Sequence, residues 1–132
     1  MITLATLEHA TEQEVFDQVA RHMLRQSARS WLQDGVCAYR GEAGLKCAAG
    51  CLISDEEAAL LNLATESINT LPWSCLITRG VAPDSHRSLI LSLQTIHDNP
   101  EHVPEEDWGD HLKALANQRG LNYKVVNEAY GE

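Results

Sequence analysis

Apolar positions recur at helical spacing in four stretches of the chain. Val15, Phe16, Val19, Ala20 and Met23 share one face at i, i+3/i+4 intervals. Ahead of them, Thr11-Glu12-Gln13-Glu14 reads as a capping box that starts a helix at Glu12. Arg21 and Arg25 suit its carboxyl end, and Asp34-Gly35 is the first firm stop after it. Ser54-Asp55-Glu56-Glu57 repeats the capping pattern and predicts a second helix through Ala58, Leu60, Leu61, Leu63 and Ala64, finishing near Asn69. Pro83-Asp84-Ser85 opens a third, whose stripe is Leu89, Ile90, Leu93 and Ile96 and whose end is Asp98-Asn99-Pro100. Pro104 and the acids after it open a fourth, with Trp108, His111, Leu112, Leu115 and Ala116 on its core face and Gly120 as its cap.

Between the first two helices the pattern changes. Val36 to Arg40 is compatible with a strand, and Gly41-Glu42-Ala43-Gly44 can supply a tight corner. The return limb, Leu45 to Ile53, places Cys47, Ala49, Cys51 and Ile53 on one face at period two, while Cys47 and Cys51 also share a helix face. Its small residues imply a second backbone close by, with Gly50 as the packing residue. Trp73 to Val81 reads as a strand or buried turn, and Asn122 to Val126 as a last short strand before a frayed tail. The expected fold is therefore α+β, mainly α: about four helices around a small β-hairpin or two-to-three-stranded sheet built on Tyr39, in one domain spanning residues 1–132.

Charge narrows the partners. Ten basic against nineteen acidic residues give a net charge of −9, which argues against a nucleic-acid backbone or an anionic membrane. No apolar run approaches the ~20 residues of a membrane span, and the first residues lack the basic and apolar regions of a secretory signal. The expected location is the cytoplasm, where four cysteines are expected to stay free and buried.

Three constellations carry candidate chemistry. Cys37, Cys47 and Cys51 with His97 are a possible zinc set, alongside Cys75, His22 and His111. Only Cys47-x3-Cys51 approaches the paired spacing that zinc sites use, and no second pair follows. Cys47 or Cys37 with His97 and Asp98 is a possible nucleophile, base and orienting acid. Tyr39, Arg40 and Lys46 form a polar group in which Arg40 either grips an anion or pairs with Asp55 or Glu56. Trp31 and Trp73 are candidate interface anchors. Phosphate-loop and dinucleotide fingerprints are absent, and no cofactor is expected.

The order CAYRG at Cys37, LKCAAGCLI-x-DEE from Leu45, LQTIHD from Leu93, and Trp108-x3-Leu112-x2-Leu115-Ala116 ending in Gly120-Leu121 resembles a family of small uncharacterised proteins of tailed bacteriophages and prophages. The likeness runs from about Val15 to Leu121 and departs from the family between Glu57 and Ala82. It implies a genetic context and brings no catalytic residues. The expectation is a non-enzymatic accessory protein that binds another protein, host or phage, for instance to inhibit a defence or regulatory factor. The alternative is a small metal- or thiol-dependent enzyme, or zinc-binding domain, centred on Cys37, Cys47 and Cys51.

Overall fold

A computed structural model describes residues 1–30, 32, 37–63, 67–99 and 103–130. Among them are six α-helices: α1 (Glu12–Gln26), α2 (Asp55–Leu60), α3 (Trp73–Thr78), α4 (Arg87–Asp98), α5 (Trp108–Gln118) and α6 (Lys124–Tyr130). The longest, α1, is the hub, packing on α4, α5, α6 and the short 3-10 helix Ala49–Leu52. Its capping box is complete: the Glu14 amide donates to Thr11 Oγ1 at 3.1 Å and the Thr11 amide to Glu14 Oε1 at 2.8 Å. The predicted stripe Val15, Phe16, Val19, Ala20 and Met23 is buried. Ser27 stops the helix in the left-handed region, at φ 52°.

The second predicted box also forms, with Ser54 and Glu57 exchanging bonds of 3.1 and 2.9 Å. The helix ends at Leu60 rather than near Asn69, because Asn62 turns left-handed at φ 54°; Ala64 lies outside the described residues. Glu57 has a second task, accepting the amides of Leu4 and Ala5 at 3.0 Å each. Together with Gln18, which exchanges bonds of 2.7 and 2.8 Å with the backbone of Ile2, it straps the amino-terminal segment across the core, where Leu7 is buried.

The expected β-hairpin or sheet is not present. Among the described residues there is no strand; an isolated antiparallel bridge joins Arg40 and Lys46 across a 3-10 turn at Glu42–Gly44. Side chains take the backbone groups that a ladder would have used. Asn69 accepts from the Arg40 amide and donates to the Arg40 carbonyl, both at 2.9 Å, while the Tyr39 amide donates to the Asn69 carbonyl. Gln26 brackets Lys46, accepting from its amide at 3.0 Å and donating to its carbonyl at 2.7 Å. Gln94 accepts from the Ala49 amide at 2.9 Å. The extended segments are thereby pinned to α1, α4 and the Ser67–Thr70 turn, and bond each other only near the corner, where the Gly41 amide donates to the Leu45 carbonyl at 2.8 Å.

Two further segments differ from expectation. Trp73 to Thr78 is helical, started by Pro72, whose carbonyl accepts from the Cys75 and Leu76 amides. The predicted last strand is the start of α6, with Val125 and Val126 buried. The predicted stripes of α4 and α5 are buried, except that His111 faces solvent. Gly50 does sit against another backbone: a Cβ there would lie 2.4 Å from the Tyr39 carbonyl oxygen.

Candidate functional site

Past the end of α1 the chain turns inward, and Arg29 and Ser30 become buried polar residues at the junction of α4 and α5. Arg29 is 3 % exposed. Its Nε donates to the carbonyl of His97 at 2.7 Å, it binds the Val103 carbonyl and pairs with Glu105, and its guanidinium lies 5.4 Å from the Trp108 ring centre. His97 stacks on the same Trp108 ring, 5.5 Å from it at an interplanar angle of 28°. A buried guanidinium is tolerated here because carbonyls, a carboxylate and an aromatic face replace its water.

The donors around His97 fix its tautomer. The Ser30 amide points at Nε2 from 3.3 Å, so that nitrogen presents its lone pair, and Nδ1 donates its hydrogen to Asp98 Oδ1 at 2.6 Å. Asp98 also accepts from Gln94 Nε2 at 2.9 and 2.8 Å. Cys37 completes the group: its sulfur, the imidazole and the Asp98 carboxylate offer atoms within 4.8 Å of one another. Burial, reinforced by the charge of Asp98 and a hydrogen bond to it, pushes the Cys37 thiol up to about 11. Cys37 and Asp98 open onto a cleft of about 700 Å³ whose walls include Tyr39, Trp73, Gln94 and Asn99.

This arrangement restricts the chemistry available. A cysteine nucleophile needs a base with a free lone pair beside its sulfur. The His97 lone pair is taken by Ser30, and the thiol is held protonated. A metal at Nδ1 would require the imidazole hydrogen to move to Nε2, against the Ser30 N–H. The cluster works as a hydrogen-bonded clasp joining α4 to the Cys37 segment.

The other expected residues are spread over separate surroundings. Cys47 lines the same cleft but is fully buried, its sulfur accepting from the Gly50 amide at 3.3 Å, and burial drives its thiol far above the usual range. Cys51 donates to the Ala48 carbonyl at 3.2 Å and is pushed by burial up to about 12. Among the described residues, only Cys37, of the proposed sulfur ligands, joins His97 in a cluster that could hold a metal. His22 donates from Nε2 to the Lys46 carbonyl at 2.9 Å; its lone pair at Nδ1 follows from that bond, and burial lowers its pKa.

Arg40 takes the structural option, its Nη1 2.5 Å from Asp55 and its Nη2 donating to the Ile53 carbonyl at 2.5 Å. Lys46 Nζ lies 3.7 Å from the same Asp55 carboxylate. Tyr39 donates to the Leu71 carbonyl at 2.5 Å and meets Trp73 edge to face at 6.1 Å. Trp73 is buried, as a core residue, and Trp31 lies outside the described residues. Sequence reasoning missed Arg29, Ser30, Asn69 and Gln94. Gln94 alone carried a signal, sitting on the same helix face as His97 and Asp98 in LQTIHD. Comparison with protein-family models, curated proteins and solved structures finds no match for this chain.

Proposed function

We propose that this protein acts by binding another protein and carries out no chemistry of its own. The observation that carries the reading is the acidic face where α5 begins. Glu105, Glu106, Asp107 and Asp110 are exposed within six residues, and Glu105 is tied through Arg29 to the buried junction of α4 and α5. The face is thus held in place before any partner arrives, which lowers the ordering cost of binding. A net charge of −9 adds long-range attraction for a basic docking surface, affecting association rate and salt dependence more than affinity. The resemblance to tailed-phage and prophage proteins supports a host or phage protein as the partner, with inhibition of a defence or regulatory factor as the proposed consequence. No helix is long and apolar enough to cross a membrane.

The test is affinity capture from a bacterial lysate with wild type, the charge-reversed Glu106→Lys/Asp110→Lys variant, and Glu128→Lys as a control away from this turn. The reading expects a discrete protein retained at low salt by wild type and the control, and released by the double reversal or by high salt. Equal retention by the double reversal, or no retention by wild type, removes it. The thiol- or metal-dependent alternative draws on the convergence of Cys37, His97 and Asp98 at the cleft wall. It requires Ser30 to release Nε2, and stoichiometric zinc in purified protein, lost in Cys37→Ser, is the result that would establish it over the binding reading.

A further inference from the structure

The positive charge of this acidic chain is unevenly placed. A second depression, of about 310 Å³, is lined by Met1, Gln18, Arg21, His22, Arg25, Lys46 and Cys51. Three of the ten basic residues border it, and no aspartate or glutamate does among the described residues. Two of the three cations have long ion pairs and the third has none among the described residues. The nearest acid to Arg21 is Glu128 at 3.9 Å; Lys46 is 3.7 Å from Asp55, which Arg40 already holds at 2.5 Å; Arg25 has no ion pair among the described residues. Like charges that are only partly neutralised repel one another, and an anion between them reduces that cost.

The walls are rigid where the charges are mounted. Arg21 and Arg25 stand one turn apart on α1, so both side chains leave the same face of the helix at successive levels. Lys46 comes from the facing segment, and its backbone is fixed by two hydrogen bonds to Gln26 and one from His22. The floor is held by Gln18, which donates to the Cys51 carbonyl at 3.1 Å. Two planar forks and an ammonium on opposite walls suit a tetrahedral, doubly charged oxyanion better than a carboxylate, which a single arginine satisfies.

We propose that the pocket between Arg21, Arg25 and Lys46 binds a phosphoryl group, as free phosphate or as the head of a small phosphomonoester. This is independent of the acidic face, since the two share no residue. Isothermal titration with inorganic phosphate, glycerol 3-phosphate and acetate, at ionic strength matched with chloride, tests it. Wild type and Arg79→Gln, an exposed arginine outside the pocket, should bind one equivalent of phosphate or the ester. Arg21→Gln and Arg25→Gln should each bind about tenfold more weakly, and their combination should not bind. Tighter binding of the ester than of phosphate assigns the source to a phosphomonoester, and the reverse to the free ion. Both arginines reach solvent, so the variants should keep the wild-type melting temperature, and the phosphate-dependent rise in that temperature gives a second readout. The proposal is overturned if no saturable heat appears, if acetate binds as well, or if Arg79→Gln weakens binding as much as Arg25→Gln.

Discussion

Replacing Gly50 with alanine tests whether two backbones touch at the centre of this fold. The added Cβ would lie 2.4 Å from the Tyr39 carbonyl oxygen and 3.2 Å from its carbonyl carbon and Cα. All three are main-chain atoms, so no rotamer change relieves the contact. Tyr39 is itself held by its amide to Asn69 and its hydroxyl to Leu71, which limits retreat. Overpacking of this kind costs about 1–3 kcal/mol, and a rigid neighbour places it in the upper half. Loss of unfolded-state freedom returns about 0.4–1 kcal/mol. The net expectation is a destabilisation of about 2 kcal/mol, or a melting temperature lower by roughly 7 °C for a chain of this size. The control is Gly44→Ala, where φ is +76° and nothing lies within 4 Å, so only the left-handed backbone opposes the methyl, at about 1 kcal/mol. Urea unfolding of both variants, with unchanged slopes, gives the comparison. If Gly50→Ala proves no less stable than Gly44→Ala, the close approach to Tyr39 is wrong.

Other expectations concern the thiols and the straps. At neutral pH iodoacetamide should modify Cys37 about a hundredfold more slowly in the folded protein than in urea, because its pKa rises from 9.0 to about 11; equal rates would reopen the nucleophile reading. Cys47 keeps its proton in the folded state at pH values where the unfolded thiol, at 9.0, has lost it. Its contribution is therefore complete below pH 9 and falls by up to about 1.4 kcal/mol per pH unit above it; Cys37 and Cys51 add slopes of the same sign, so Cys47→Ala should lessen the total, without abolishing it, in urea midpoints measured either side of pH 9. Burial raises the Glu57 pKa, but its hydrogen bonds from Ser54, Leu4 and Ala5 outweigh that and hold it below 4.5. Its stabilisation is present above that pH and lost as pH falls. Glu57→Ala should expose residues 1–6 to amide exchange while α1 stays protected, and unchanged exchange would refute the strap. Arg29→Met should cost about 3–5 kcal/mol by leaving the His97 and Val103 carbonyls buried without donors, read as a urea midpoint shift; a loss below about 1 kcal/mol would deny the junction its role.

Local signals predicted whatever local physics decides. The boxes at Thr11 and Ser54, the stripes of α4 and α5 and the cap at Gly120 depend on residues within a turn or two of each other, and all appear. α3 and α6 were misread for one reason: Cys75-Leu76-Ile77 and Val125-Val126 look like strands by side-chain type, whereas each segment is helical because of the apolar surface it meets. The hairpin failed differently. The corner does form, with Ala43 and Gly44 left-handed and Gly41 extended, but Asn69, Gln26 and Gln94 lie 29, 20 and 45 residues from the backbone groups they capture, beyond any short-range pattern.

The same distinction explains why Cys37, His97 and Asp98 looked reactive in sequence and behave otherwise in space. Residue type told of a possible nucleophile, base and orienting acid, and the structure does bring those three types together. Reactivity, however, depends on which atom is left free, and that is set by Ser30 and Gln94, whose amide hydrogens occupy Nε2 and the Asp98 carboxylate. With both ring nitrogens engaged and the sulfur neutral, the cluster fastens α4 to the Cys37 segment, as Arg29 fastens α4 to the start of α5. Charge not engaged in this core lies outside it, on the exposed acids around α5 and on Arg21 and Arg25 of α1, of which Arg21 has a long pair with Glu128 at 3.9 Å. The two proposed surfaces differ in sign, so each favours a partner or ligand of the opposite charge.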